Sequence, residues 1–232
     1  MVLLRARREF ARAELSGPVP TVARVRWLQK TCRHSLAALE VQVEVQGVPP
    51  TSGLLVSNHL SYLDIVVYSS VVPCAFVSKA EVARWPVFGQ YAISGGTIFV
   101  ERVRLSSSRR ANLAIIEYLR ARVPVVLFPE GTTSDGSQLL RFHSSMLQPA
   151  IDAAVTVTPC AVSYEVSDGT ERDVAWWGGM TLAPHVLKLT ARRWVRAKVS
   201  FGGPLTPTRS RKALSDEARE RVMELRRNLG IS

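Results

Sequence analysis

In Gly53-Leu54-Leu55-Val56-Ser57-Asn58-His59-Leu60-Ser61-Tyr62-Leu63-Asp64 an apolar run meets a polar turn, and a second apolar run, Ile65-Val66-Val67, follows directly. Residues 53–57 read as a short buried strand. Ser61 is a natural helix N-cap, so a helix is expected from about 61 to 70, with Asp64 at the third helical position. A strand passing into a helix through a polar turn is the unit from which α/β layers are built.

The alternation continues on both sides of this unit. Upstream, Val41, Val43 and Val45 alternate with Gln42, Glu44 and Gln46, a strand with one wet face that Gly47-Val48-Pro49-Pro50 ends. Downstream, residues 74–77 predict a third strand, 79–91 a helical or irregular stretch interrupted by Pro86, and 98–101 another short strand. Ser106–Ser108 should open a helix running to about 122, followed by strands at 125–128, 155–164 and 195–201 and a charged helix at about 216–229. The pattern predicts an α/β fold: one domain with a mostly parallel central sheet flanked by helices. A chain of 232 residues leaves few ways to build two ordinary cores.

The first 20 residues are basic and end in the breaker cluster Ser16-Gly17-Pro18-Val19-Pro20. Beyond it Val25, Leu28, Cys32, Leu36 and Leu39 recur at spacings of three and four, with Arg24, Arg26, Lys30, Arg33 and His34 between them. That is an amphipathic helix over 22–39. It fits packing on the domain, and with Trp27 near its start it also fits a lipid headgroup boundary.

Composition narrows the function classes. Hydrophobic residues at 47% and charged residues at 21% exclude a chain disordered throughout. Cys32, Cys74 and Cys160 have no C-x-x-C spacing, which excludes a disulfide scaffold and a cysteine-rich zinc module and fits a reducing compartment. Four scattered histidines without an HExxH pattern predict no metal site. The net charge of +11 divides into +6 for residues 1–34, −3 for 35–187 and +8 for 188–232. Charge alone suits nucleic acid or anionic headgroups. The chain has no zinc finger, KH loop or aromatic RNP ladder, and its basic charge sits at the termini, so no nucleic-acid partner is expected. Arginines interrupt the start where a signal peptide needs an apolar core, and no 18-residue stretch is apolar enough to span a bilayer.

Three polar constellations each follow or enclose a predicted strand, where α/β proteins hold ligands. In the first, His59 in the turn and Asp64 in the first helical turn can meet, leaving the second imidazole nitrogen to take a proton from a hydroxyl. Alone, this spacing is a weak signal, and a turn histidine beside a capping aspartate is the commoner reading of it. No GxSxG elbow is present, so the pair suggests activation of a substrate hydroxyl rather than a covalent enzyme intermediate. The second is Gly95-Gly96-Thr97-Ile98-Phe99-Val100-Glu101-Arg102, where Arg102 suits either a phosphate clamp or a structural ion pair. The third is Phe128-Pro129-Glu130-Gly131-Thr132-Thr133-Ser134-Asp135-Gly136, whose freed backbone N–H groups can form an anion nest or simply a well-made turn. Glu130 would repel a phosphate and is expected to orient the loop by accepting backbone or Arg102 donors.

In order and spacing these blocks resemble the signature blocks of the PlsC-like lysophospholipid and glycerol-phosphate acyltransferases. The matching blocks are Asn-His-x4-Asp at 58–64, Gly-x-x-Phe-x-x-Arg at 96–102 and Phe-Pro-Glu-Gly-Thr at 128–132, with an apolar run ending in proline at 155–159 as a looser fourth. The resemblance covers roughly residues 40–205. It implies a glycerol-phosphate-acyltransferase-like fold and transfer of a fatty acyl group from acyl-CoA or acyl-carrier protein to the free hydroxyl of a lysolipid acceptor, 1-acyl-sn-glycerol-3-phosphate foremost. It also implies His59 as general base and Asp64 as its orienting partner. Asn58, Gly96, Arg102, Glu130, Gly131, Thr132 and Thr133 would form the acceptor site, with Arg102 on the headgroup phosphate. No cofactor is implied beyond the thioester co-substrate.

Pattern, charge and resemblance together divide the chain into 1–39, a basic segment with an amphipathic helix expected to associate with a membrane, and 40–232, the acyltransferase domain with a basic helical tail. The resemblance implies peripheral or monotopic attachment to an anionic membrane surface at the cytoplasmic face. Trp176, Trp177 and Met180 are candidates for an apolar wall or for core packing. One departure stands out: Thr133 occupies the place of an arginine in the common third block, as in the branch that includes lyso-ornithine-lipid acyltransferases.

Overall fold

The computed structural model describes residues 2–15, 17–100, 109–207 and 210–230. Seven strands form one sheet: β1 (Val41–Gln46), β2 (Leu54–Ser57), β3 (Ala75–Lys79), β4 (Ile98–Val100), β5 (Val125–Leu127), β6 (Val157–Val166) and β7 (Val195–Phe201), in the order β1-β7-β6-β2-β5-β3-β4. The pairs β6–β2, β2–β5, β5–β3 and β3–β4 are all parallel. Their carboxyl ends therefore open on one edge, with β2 between β5 and β6. β7 runs antiparallel to β6, and β1 runs parallel to β7 at the margin of the sheet.

Helices cover both faces, as strands buried on both sides require. They are α1 (Val2–Leu15), α2 (Thr21–Ala38), α3 (Leu63–Val71), α4 (Phe88–Ser94), α5 (Arg109–Arg120), α6 (Gln148–Asp152), α7 (Leu182–Thr190) and α8 (Arg211–Asn228). The period-two alternation of β2 sorts its side chains. Leu54 and Val56 join Ile115 and Leu119 of α5, Leu147 just before α6, and Leu214 and Ala218 of α8, whereas Leu55 joins Leu63, Val67 and Tyr68 of α3. All of β2 is fully buried, so Leu55→Ala would cost about 2–5 kcal/mol.

The apolar stripe of α2 is spent within the protein. Val25, Leu28, Cys32 and Leu36 are buried, α2 packs along α3, and Leu39 alone of the five stands half exposed. α1, which the basic composition of the first 20 residues did not suggest, docks through Phe10 onto Trp27, with ring centroids 4.7 Å apart; the Trp27 indole N–H donates to the Ala6 carbonyl at 3.1 Å. The tail helix begins five residues before the expected 216, because the Ser210 hydroxyl caps it by accepting from the Ala213 N–H at 3.3 Å. All three cysteines are free and buried. Among the described residues no helix is long and apolar enough to cross a membrane.

Candidate active site

The end of β2 is anchored before its turn begins. Asn58 is buried, its amide donating to the Val162 carbonyl at 3.0 Å and its oxygen accepting the Val162 N–H at 2.9 Å. This side chain extends the β2–β6 ladder by one step and commits both its polar atoms to the backbone. His59 is then the first residue free of the sheet.

Its Nδ1 lies 2.7 Å from Asp64 Oδ2. Asp64 is fully buried in the first turn of α3, and the same Oδ2 accepts the N–H groups of Leu60 at 2.7 Å and Ser61 at 3.0 Å. The Tyr164 hydroxyl of β6 donates to Oδ1 at 2.6 Å. The two sequence readings of Asp64, helix cap and histidine partner, are thus met by one carboxylate. Ser61 does not cap: its hydroxyl is buried without a partner among the described residues, and α3 starts at Leu63 instead of about 61. The Asp64 N–H, which a Ser61 cap would have taken on its hydroxyl, donates to the Ser61 carbonyl at 3.1 Å instead.

The neighbouring β5 loop grips the His59 main chain. The His59 N–H donates to Glu130 Oε1 at 2.8 Å, and its carbonyl accepts the Ser134 N–H at 3.0 Å. The imidazole stacks on Phe128, with centroids 3.9 Å and planes 10° apart. Glu130 is buried, and its Oε2 accepts the Leu140 N–H at 2.8 Å. Burial raises its pKa above the usual carboxylate range, opposed by the hydrogen bonds from Leu140 and His59. Both oxygens brace backbone, and neither is bonded to a cation among the described residues.

After Glu130 the chain reverses at Gly131, φ +71°, where an added Cβ would meet the His143 ring at 3.3 Å. The N–H groups of Thr132 and Thr133 have no partner among the described residues, and Thr132 is exposed. Two donors thus stay unbonded in the loop beside His59, as an anion nest needs. Gly96, φ +80°, precedes β4 and so lies toward the amino end of a parallel strand, away from the carboxyl edge that holds His59. Arg102 lies outside the described residues.

A layer behind the loop escaped the sequence. Arg226 of α8 is buried and donates to Glu171 Oε2 at 2.8 Å, the Gly136 carbonyl at 3.0 Å and the Val162 carbonyl at 3.1 Å. Arg219 donates to the carbonyls of Leu139 at 2.6 Å and Leu140 at 2.9 Å. A signal was there to read: Leu214, Ala218 and Val222 are buried at steps of four, and the next step is Arg226. The Trp176 N–H donates to the Leu60 carbonyl at 2.8 Å, and its ring lies edge-on to Tyr62 and Trp85, while Met180 is exposed.

Chemically, the site is a base with one nitrogen assigned. With Nδ1–H donated to Asp64, Nε2 carries the lone pair, and no described residue bonds to it. The ring is partly open to solvent while its partner carboxylate is dry. Such a pair can take a proton from a hydroxyl and return it to a leaving group.

Comparison with known proteins agrees with this chemistry. The family described as Acyltransferase matches residues 40–163. A lyso-ornithine lipid O-acyltransferase of Brucella abortus is 37% identical over 187 residues, covering 74% of this chain and 70% of that protein. A 1-acyl-sn-glycerol-3-phosphate acyltransferase of Neisseria gonorrhoeae is 32% identical over 196 residues, covering 82% and 76%. In fold, the crystal structure of the 1-acyl-sn-glycerophosphate acyltransferase PlsC from Thermotoga maritima superposes with a TM-score of 0.63 at 24% identity, covering 88% of this chain and 81% of that one.

Proposed function

This chain belongs to the acyltransferase family, and from that premise we propose that it moves a fatty acyl group from a thioester, acyl-CoA or acyl-carrier protein, to the free hydroxyl of a lysolipid. The observation that carries the reading is the 2.7 Å contact between His59 Nδ1 and the buried Asp64. His59 Nε2 takes the proton of the acceptor hydroxyl as its oxygen bonds to the thioester carbonyl carbon. The tetrahedral intermediate then expels the thiolate, which receives the proton back from the imidazolium. Asp64 holds the ring in the Nδ1–H tautomer and stabilises its transient charge.

The acceptor headgroup is the finer question. Arg102 and the unbonded N–H groups of Thr132 and Thr133 suit a phosphate, which supports 1-acyl-sn-glycerol-3-phosphate. Thr133, short and neutral where an arginine is common, takes one cation away from that headgroup. Together with the similarity to lyso-ornithine lipid O-acyltransferases, it favours a lyso-ornithine lipid. An acceptor panel with both thioester donors decides between them by the rate of diacyl product formation. His59→Ala should lower that rate about 10²–10⁴-fold on the preferred acceptor with the fold intact. A folded variant turning over at the wild-type rate would remove His59 from the chemistry. Product and substrate both partition into lipid, so the enzyme works at a bilayer surface, as a peripheral protein on its cytoplasmic face.

A further inference from the structure

Asp64 collects four donors. Three of them, the His59 ring and the Leu60 and Ser61 amides, belong to its own turn and share Oδ2. The fourth comes from another strand: Tyr164 of β6 is the one donor on Oδ1 among the described residues. We propose that Tyr164 is a positioning residue for acyl transfer, acting through Asp64 on His59. The inference rests on the His59–Asp64 reading given above.

The geometry supports it from both ends. Tyr164 sits in a strand registered against β7, and its own N–H is held by Glu171 Oε1 at 3.1 Å, while Arg226 holds the other oxygen of Glu171. Its hydroxyl is therefore presented from a rigid frame. Burial first, and the Asp64 charge next, push the phenol well above its usual pKa, so it stays protonated and donates. Without that donor, Oδ1 becomes a buried acceptor with nothing to bond among the described residues, and the carboxylate is fixed from its Oδ2 side alone. A small turn about Cβ–Cγ then shifts Oδ2 against the imidazole. The ring loses its fixed tautomer, and small misplacements of a base are costly in rate.

The test is Tyr164→Phe, which keeps the ring and removes the hydroxyl. The expected result is a fall in kcat of about tenfold, with KM for lysolipid and thioester unchanged, the pattern of an interaction that matters at the transition state. Tyr68→Phe is the control. It removes a second buried hydroxyl from the same core, one bonded to Ser57 Oγ at 2.6 Å, and should lower the melting temperature while leaving kcat unchanged. If Tyr164→Phe behaves the same way, its hydroxyl is only a structural bond and the proposal is overturned. His59→Ala runs in the same assay: if it stays active, the catalytic reading itself fails. If it is inactive while Tyr164→Phe turns over at the wild-type rate, only the present inference fails. Should Tyr164→Phe be unfolded at the assay temperature, Tyr164→3-fluorotyrosine keeps the size and the hydroxyl but sharpens the donor. A changed kcat at unchanged KM and melting temperature then supports the proposal, and an unchanged kcat overturns it.

Discussion

His59 is held by its ring, its N–H and its carbonyl together, through Asp64, Glu130 and Ser134. Three grips on one residue leave little freedom except at Nε2, the atom proposed to take the proton. A second histidine shows the opposite use of the same ring. His185 is buried, its Nε2–H donates to the Ala175 carbonyl at 3.1 Å, and its Nδ1 accepts from the Tyr62 hydroxyl at 3.1 Å. Both nitrogens are occupied, so it pins α7 to the start of α3. Burial lowers its pKa below the ordinary histidine value. A lowered folded-state pKa means the unfolded chain takes up the proton first on acidification. The stability this gives is therefore full above about pH 6.5 and is lost as the pH falls from there toward the folded-state value. His185→Gln preserves one donor and one acceptor without titrating. Its melting temperature should fall less than that of the wild type between pH 7 and 5; parallel curves would show that His185 does not set the acid limb.

At the scale of elements, α8 acts as a clamp on the loop that follows β5. Arg226 and Glu171 are both largely buried, and removing the cation leaves Glu171 without its partner. Arg226→Ala should cost about 3–5 kcal/mol in denaturant unfolding and lower kcat through the loosened 136–140 backbone. Arg226→Lys should fall between the two, because a single ammonium cannot reach Glu171, Gly136 and Val162 as the guanidinium fork does. Equal kcat in all three would confine α8 to stability. What could be read from the chain follows the same division. Strands β2 and β5 and the loops that follow them were legible, because apolar runs and turn residues act locally. The antiparallel turn of β7 was not, since strand direction is set by packing. Helix α7 was hidden behind Pro184, which its first turn tolerates. Within the site His59, Asp64 and Glu130 carry short-range patterns, whereas Tyr164 reaches Asp64 only through the β2–β6 pairing, which no spacing in the sequence announces.

For the whole molecule, the question is which surface meets lipid. The α2 stripe is turned inward, Arg24 donates to the carbonyls of Val19, Ile93 and Ser94, and Arg33 donates to that of Ser70. Val22 and Leu39 at the two ends of α2 stay partly outside, but Leu4 and Leu15 of α1 are more exposed, in a helix rich in arginines. Such a helix suits an interface, burying its leucines at the acyl boundary and setting its cations among headgroups. Leu4→Glu combined with Leu15→Glu should reduce co-sedimentation with anionic vesicles and leave turnover on detergent-dispersed lysolipid unchanged. Unaltered sedimentation would move the attachment off α1. The clamp from α8 also has a consequence in time. Gly136 and Arg226 are 90 residues apart, so on a translating ribosome the loop emerges on the order of ten seconds before the side chain that fixes it. During that interval the nascent polypeptide carries every motif of the reaction, yet the base stands on an unbraced loop. Acyl transfer should reach its full rate only once synthesis has delivered α8.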